Sequence, residues 1–173
     1  MQDFPQRKDI RLKGYNYSEA GYYFITLCTK DKRNLFGKIT DGMIYLNDCG
    51  KIAESELQNI PSHYDRVQID KYIVMPNHVH MIVVINPARK INQAERINPF
   101  PTTDIPHVIG RYKAGVTRIV GNAFMRSDPL ARTEIWQKRY HDHIIRNEAE
   151  YLKIWKYIDE NPMKWEVDKY FGE

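Results

Sequence analysis

Two histidines one residue apart, His78 and His80, open the apolar run Met75-Pro76-Asn77-His78-Val79-His80-Met81-Ile82-Val83-Val84-Ile85. Side chains alternate faces along a strand, so residues two apart project together and this pair can grip one metal ion between two imidazoles. Ile82 and Val84 continue the histidine face, while Val79, Met81, Val83 and Ile85 line the other. A strand apolar on both faces belongs mid-sheet, covered on both sides. Buried imidazoles need partners, and a metal supplies one for each. A lone His-x-His pair is also met as two satisfied core histidines, so the rest of the chain has to decide between the readings.

A second candidate group lies near the C-terminus, in Tyr157-Ile158-Asp159-Glu160-Asn161-Pro162. Tyr157 and Asn161 are four apart, so on a helix they stack on one face, one turn apart. Taken alone, such a tyrosine is amphipathic packing and an asparagine before proline is a helix stop. Neither residue alone supports a mechanism.

The elements that must position these groups can be read in order. Gly21 to Thr29 is rich in aromatic and β-branched residues and predicts a long first strand. Asn34 to Ile39 and Met43 to Leu46, separated by Asp41-Gly42, predict a hairpin. Asn47 or Asp48 caps a helix to about Asn59, marked by Ile52, Leu57 and Ile60 and ended by Pro61. Val67 to Val74 is a strand joined tightly to the histidine strand, hence its antiparallel neighbour. The 86–104 stretch, with Pro87, Pro99 and Pro101 and several asparagines, predicts a long exposed loop. A helix follows from Ile105 to about Phe124, with Val108, Ile109, Val116, Ile119, Val120 and Phe124 at helical spacing. Glu134 to Ile145 predicts a last strand. Asn147 caps a last helix, Glu148 to Glu160, whose stripe is Tyr151, Ile154, Trp155 and Ile158. This order predicts an α+β fold of ferredoxin-like type: an antiparallel sheet backed by helices.

The chain is 173 residues long, which is most simply one domain, 1–173, with a last helix over 147–162. Its 42% hydrophobic and 28% charged content argues against disorder. No apolar run reaches membrane-spanning length and Met1 to Pro5 has no signal-peptide core, so no membrane partner is expected. Cys28 and Cys49 stand apart with no CxxC, which excludes a zinc finger or disulfide scaffold and suits a cytoplasmic location. The net charge of +4 permits a nucleic-acid partner without demanding one. Basic residues cluster, however: Arg11 and Lys13 on the N-terminal arm, Arg111, Lys113 and Arg118 on the second helix, and Lys138 and Arg139 in the last strand. Tyrosines are interleaved with them, a pattern suited to single strands and hairpin ends, since cations track phosphates and rings stack on splayed bases.

Pro76-Asn77-His78-Val79-His80, preceded by Arg11-Leu12-Lys13-Gly14-Tyr15-Asn16-Tyr17 and followed by Ile135 to Arg146 and Tyr157 to Pro162, resembles the REP-associated tyrosine transposases. These are a branch of the single-tyrosine HUH nucleases, named for His-hydrophobe-His. The resemblance implies that His78 and His80 bind Mg²⁺ or Mn²⁺ with Asn161 completing the ligand set, and that Tyr157 is the nucleophile. It implies cleavage and rejoining of single-stranded, hairpin-bearing DNA through a covalent 5′-phosphotyrosine. Tyr157, with an ordinary pKa of ~10, would be helped toward phenolate by the cation. A homodimer is compatible with the resemblance.

Two features depart from that pattern: a second His-x-His, His141-Asp142-His143, and the length of the 86–104 loop. Two rival readings remain. One is a non-catalytic single-stranded nucleic-acid module with structural histidines. The other is a zinc hydrolase using His78, His80 and a carboxylate such as Asp142, which ranks last because the chain has no HExxH and no cysteine ligands.

Overall fold

The computed structural model describes residues 14–88, 103–124 and 134–167. Its centre is a four-stranded antiparallel sheet in the order β4-β5-β1-β6, formed by β1 (Gly21–Cys28), β4 (Val67–Val74), β5 (His78–Ile85) and β6 (His141–Ile145). The expected α+β class holds. The histidine strand β5 is interior, and all of its side chains are buried. A separate hairpin, β2 (Gly37–Thr40) with β3 (Met43–Leu46), turns at Asp41-Gly42. Both turn residues have positive φ, 53° and 70°, as a two-residue hairpin turn needs, and the Asp-Gly pair accepts this at little cost.

Among the described residues, three α-helices cover the sheet. On one face α1 (Asp48–Gln58) and α2 (Ile105–Phe124) close over Val79, Met81, Val83 and Ile85 of β5 and Tyr23, Ile25 and Leu27 of β1. The opposite face is covered by α3 (Glu148–Glu160), whose Ile158, Ile154 and Tyr157 pack on Ile82, Val84, Ile145 and Phe24. Both asparagine caps form as expected: Asn47 Oδ1 accepts from Gly50 N at 3.0 Å and Asn147 Oδ1 from Glu150 N at 2.8 Å. No helix among the described residues is long and apolar enough to cross a membrane.

Two expectations need correction. The last strand does not run from Glu134 but only from His141 to Ile145. Upstream, only a single bridge joins Trp136 to Thr29. The segment leaves the sheet because Trp136 is worth more in the helix-side core: its ring lies 5.2 Å from that of Phe36 and 5.8 Å from that of Tyr112, and its Nε1 donates to Lys113 O. Lys138 and Arg139 therefore sit in the approach to β6 rather than within a strand. Trp155 was expected in the stripe of α3 but is 38% exposed, its ring lying 3.7 Å beneath Lys71 Nζ. Of the 86–104 loop only 86–88 and 103–104 fall within the described residues.

Candidate active site

Strand register builds the site. Across the sheet, His80 of β5 stands opposite Thr26 of β1, and Thr26 stands opposite His141 of β6. His78 stands opposite Cys28. Facing partners share a sheet face, so these side chains lie on the face that α3 covers. The rings of His78 and His80 are 4.4 Å apart between centroids, and both residues are wholly buried.

The orientation of each imidazole is set from behind. His78 Nδ1 lies 2.8 Å from Asn77 Oδ1. The flip of that amide is fixed in turn, because Asn77 Nδ2 donates to Lys32 O at 3.2 Å. An amide oxygen can only accept, so Nδ1 of His78 carries a ring proton, which leaves Nε2 as the nitrogen turned from Asn77. His80 Nδ1 is held by Thr26 Oγ1 at 2.9 Å, which leaves Nε2 as its outward nitrogen. Outer partners that fix ring angle, as both do, and place the Nδ1 proton, as Asn77 does, are the usual support of a metal-ligating histidine pair. The Lys32 carbonyl is presented by a tight turn after β1 in which Asp31 and Lys32 both adopt left-handed backbone, φ 56° and 54°. For non-glycine residues that conformation is costly, and such strain gathers at functional sites.

The C-terminal helix delivers the phenol. Tyr157 Oη lies 3.2 Å from His80 Nε2, with the two rings 5.2 Å apart. Phe24 steadies both, lying edge-on to Tyr157 at 6.1 Å and tilted against His80 at 5.3 Å. One turn later Asn161 ends the helix and is 1% exposed. Past it, in the 3-10 segment Asn161–Val167, Trp165 stacks on the ring of His78 at 6.0 Å. His78, His80, Tyr157 and Asn161 thus come from one chain. Two imidazoles whose Nδ1 atoms are already bonded, with a buried amide near the tyrosine, form a donor set that fits one divalent cation.

The other sequence candidates divide. Lys138 and Arg139 precede His141 and so lie at the histidine end of the sheet. Lys113 Nζ donates to the carbonyl oxygens of Gln137 and Lys138, and burial pulls its pKa down, so it clamps the segment before β6. Arg111 and Arg118 lie on α2, the layer beyond the opposite face of the sheet. Arg11 and Lys13 lie outside the described residues. Of the second His-x-His, His143 Nε2 is 2.7 Å from Glu150 Oε1, joining β6 to the start of α3. Asp142 stands opposite Ile25 and so faces the other layer. No three His, Cys, Asp or Glu among the described residues gather as a metal group, which weighs against the zinc-hydrolase reading. Sequence reasoning missed Thr26, Asn77 and Trp165. Asn77 was the most accessible of them, since it adjoins the first histidine, but its role depends on a carbonyl 45 residues away.

The chain is 37% identical to an uncharacterised protein of Haemophilus influenzae, over 95% of this chain and 93% of that one. It is 22% identical to a putative REP-associated tyrosine transposase of the same organism, over 86% of this chain and 74% of that one. Among solved structures, a REP-associated tyrosine transposase bound to a REP hairpin is similar in fold, with a TM-score of 0.59 and 22% identity over 89% of this chain and 73% of that one. A putative transposase from Deinococcus radiodurans R1 is similar with a TM-score of 0.51 and 18% identity, over 86% and 95%. No family model matches the chain.

Proposed function

We propose that this chain, a REP-associated tyrosine transposase-like protein, cleaves and rejoins single-stranded DNA through a phosphotyrosine on Tyr157. The observation that carries the reading is the 3.2 Å approach of Tyr157 Oη to His80 Nε2, beside a buried second imidazole with a fixed tautomer. The partner of this phenol is the outward nitrogen of an imidazole that Thr26 holds from behind. The hairpin-bearing substrate is favoured by a protein of similar fold whose structure is of the enzyme bound to a REP hairpin.

His78, His80 and Asn161 would hold one Mg²⁺ or Mn²⁺ ion. When bound, the ion would act as a Lewis acid that neutralises the phosphodiester charge repelling a nucleophile. The chain's own residues do the rest. Asn77 and Thr26 keep both imidazoles turned to the site, and Phe24 with Ile158 anchors the helix that carries the phenol. Tyr157 Oη forms a bond to phosphorus as the bond to the 3′-oxygen breaks. The proton lost by the phenol is matched by the one gained by the departing 3′-hydroxyl. The ester so made keeps its bond energy, and a 3′-hydroxyl can later attack it and rejoin strands. All of these residues belong to one chain, so the proposed centre needs no second copy. Lys138 and Arg139, at the histidine end, would position the strand.

The test is incubation of the full chain with labelled hairpin-bearing single-stranded DNA and Mn²⁺. A denaturation-resistant protein–DNA band is expected, with the adduct mapped to Tyr157 by mass spectrometry. Tyr157→Phe should still bind DNA but form no adduct, and an adduct that persists would displace the nucleophile. Binding with no cleavage by the wild type would favour the non-catalytic module instead.

A further inference from the structure

A cleft of about 660 Å³ opens between α1 and α2, on the helical layer remote from the histidine face. We propose that it binds one nucleotide of the DNA strand held by this protein, making a second nucleic-acid site; the ligand class rests on the function proposed above. Arg111 and Arg118 line it from α2, seven residues and so about two helical turns apart. Both are exposed, and among the described residues neither makes an ion pair. Arg111 Nη2 reaches His63 Nδ1 at 3.4 Å, which turns the other nitrogen of that ring outward as a donor.

Two further features bear on the ligand, and the second favours a nucleotide over a bare anion. Tyr64 lines the cleft and is 4% exposed, and its hydroxyl, itself buried at the floor of that lining, has no hydrogen-bond partner among the described residues. A buried hydroxyl without a partner is costly, and a ligand acceptor would satisfy it. Glu56 also lines the cleft, its carboxylate pressed against Gly115, where any Cβ would collide with it. A carboxylate acceptor amid cations discourages inorganic phosphate. It suits a group that carries phosphate at one end and amino N–H donors at the other, as a nucleotide does. The volume is within the usual range for small-ligand pockets.

The experiment titrates the full chain against a fluorescent hairpin oligonucleotide with a single-stranded flank, by anisotropy over a salt series. Arg118→Glu should raise Kd at least about tenfold and flatten the salt slope by about one, as loss of a phosphate contact does. Tyr64→Phe should raise Kd about threefold with the slope unchanged, as loss of one neutral hydrogen bond does. Lys51→Glu makes the same charge change on an exposed lysine of α1 that pairs with Asp48 at 3.7 Å, and it should shift Kd by less than about threefold. Wild-type binding by Arg118→Glu overturns the proposal, and so does an equal loss in Lys51→Glu, which would make the effect one of bulk charge. Free dGMP and inorganic phosphate form the competing arms. Arg118-dependent binding of either more tightly than DNA would assign the cleft to a free ligand and overturn the strand. The covalent-adduct assay on the same preparations separates the two readings: wild type that binds through Arg118 but forms no adduct sinks only the phosphotyrosine. Adduct formation with Arg118-independent binding sinks only the cleft.

Discussion

Beneath α1 and α2, one face of the sheet buries a continuous apolar cluster in which Tyr23, Ile25, Val79, Met81, Val83 and Ile109 have no exposed surface. Beneath α3, the other face buries Ile82, Val84, Ile145 and Ile158 as its apolar cluster, and it shares its interior with Thr26, His78, His80 and Asn161. Polar links at its margin help to hold α3: Lys71 Nζ to Asp159 Oδ1 at 2.7 Å, Tyr151 Oη to Asp70 Oδ2 at 2.7 Å, and His143 to Glu150. The difference shows how one sheet serves two ends. Apolar area on the first face supplies the stability that allows costly polar groups to be buried on the second.

The sharpest way to break this contrast is to hollow out the apolar face. Ile109→Ala should cost about 2–5 kcal/mol in urea unfolding, because the wholly buried side chain leaves a cavity. A loss below about 1 kcal/mol would mean that this face is not the main store of stability. On the polar face the larger effect should be on binding rather than folding. Asn77→Ala frees the tautomer of His78, and Mn²⁺ affinity measured by calorimetry on the folded protein should fall about 10–100-fold. Unchanged affinity would remove His78 from the proposed ligand set. A smaller effect is expected at the margin: Lys71→Ala loses both Asp159 and the face of Trp155, for about 0.5–1 kcal/mol.

The smallest effect depends on pH. The hydrogen bond to Asp70, with some burial, pushes the Tyr151 phenol up to about 12. An acid whose pKa is raised by folding stabilises the fold while protonated, so its contribution is present below its ordinary pKa of ~10 and fades as pH climbs toward the folded value. Tyr151→Phe should therefore cost about 0.5 kcal/mol near about pH 8, and thermal melts of the two proteins should converge between about pH 10 and 12. A gap that widens over that window would reverse the assignment.

Much of this architecture was legible because its signals are local. The alternation around His78 and His80 put them on one face of an interior strand, and four-residue spacing put Tyr157 a turn before Asn161. Asp41-Gly42 and the two asparagine caps depend on residues near in sequence, and all three formed. Trp136 and Trp155 were misread for a shared reason. Each is a large ring whose place is decided by what lies beyond its own element, the Phe36 and Tyr112 rings in one case and Lys71 in the other. Arg111, Lys113 and Arg118 form a single basic cluster along the chain, yet the fold separates Lys113, which clamps backbone carbonyls, from the two arginines that line a cleft.

Periodicity by itself determined the helices and most of the strands, though not where the last strand begins, together with the pairing of the two histidines on one face and the helical phase of the tyrosine, since these follow from backbone geometry that every residue carries. Only the tertiary structure decided that the phenol meets His80 within its own chain, that Asn77 takes its orientation from Lys32, and that the arginines of α2 face away from the histidine layer. Those facts depend on strand order and on which face each helix covers. Packing across the whole core fixes such choices, and no local pattern records them.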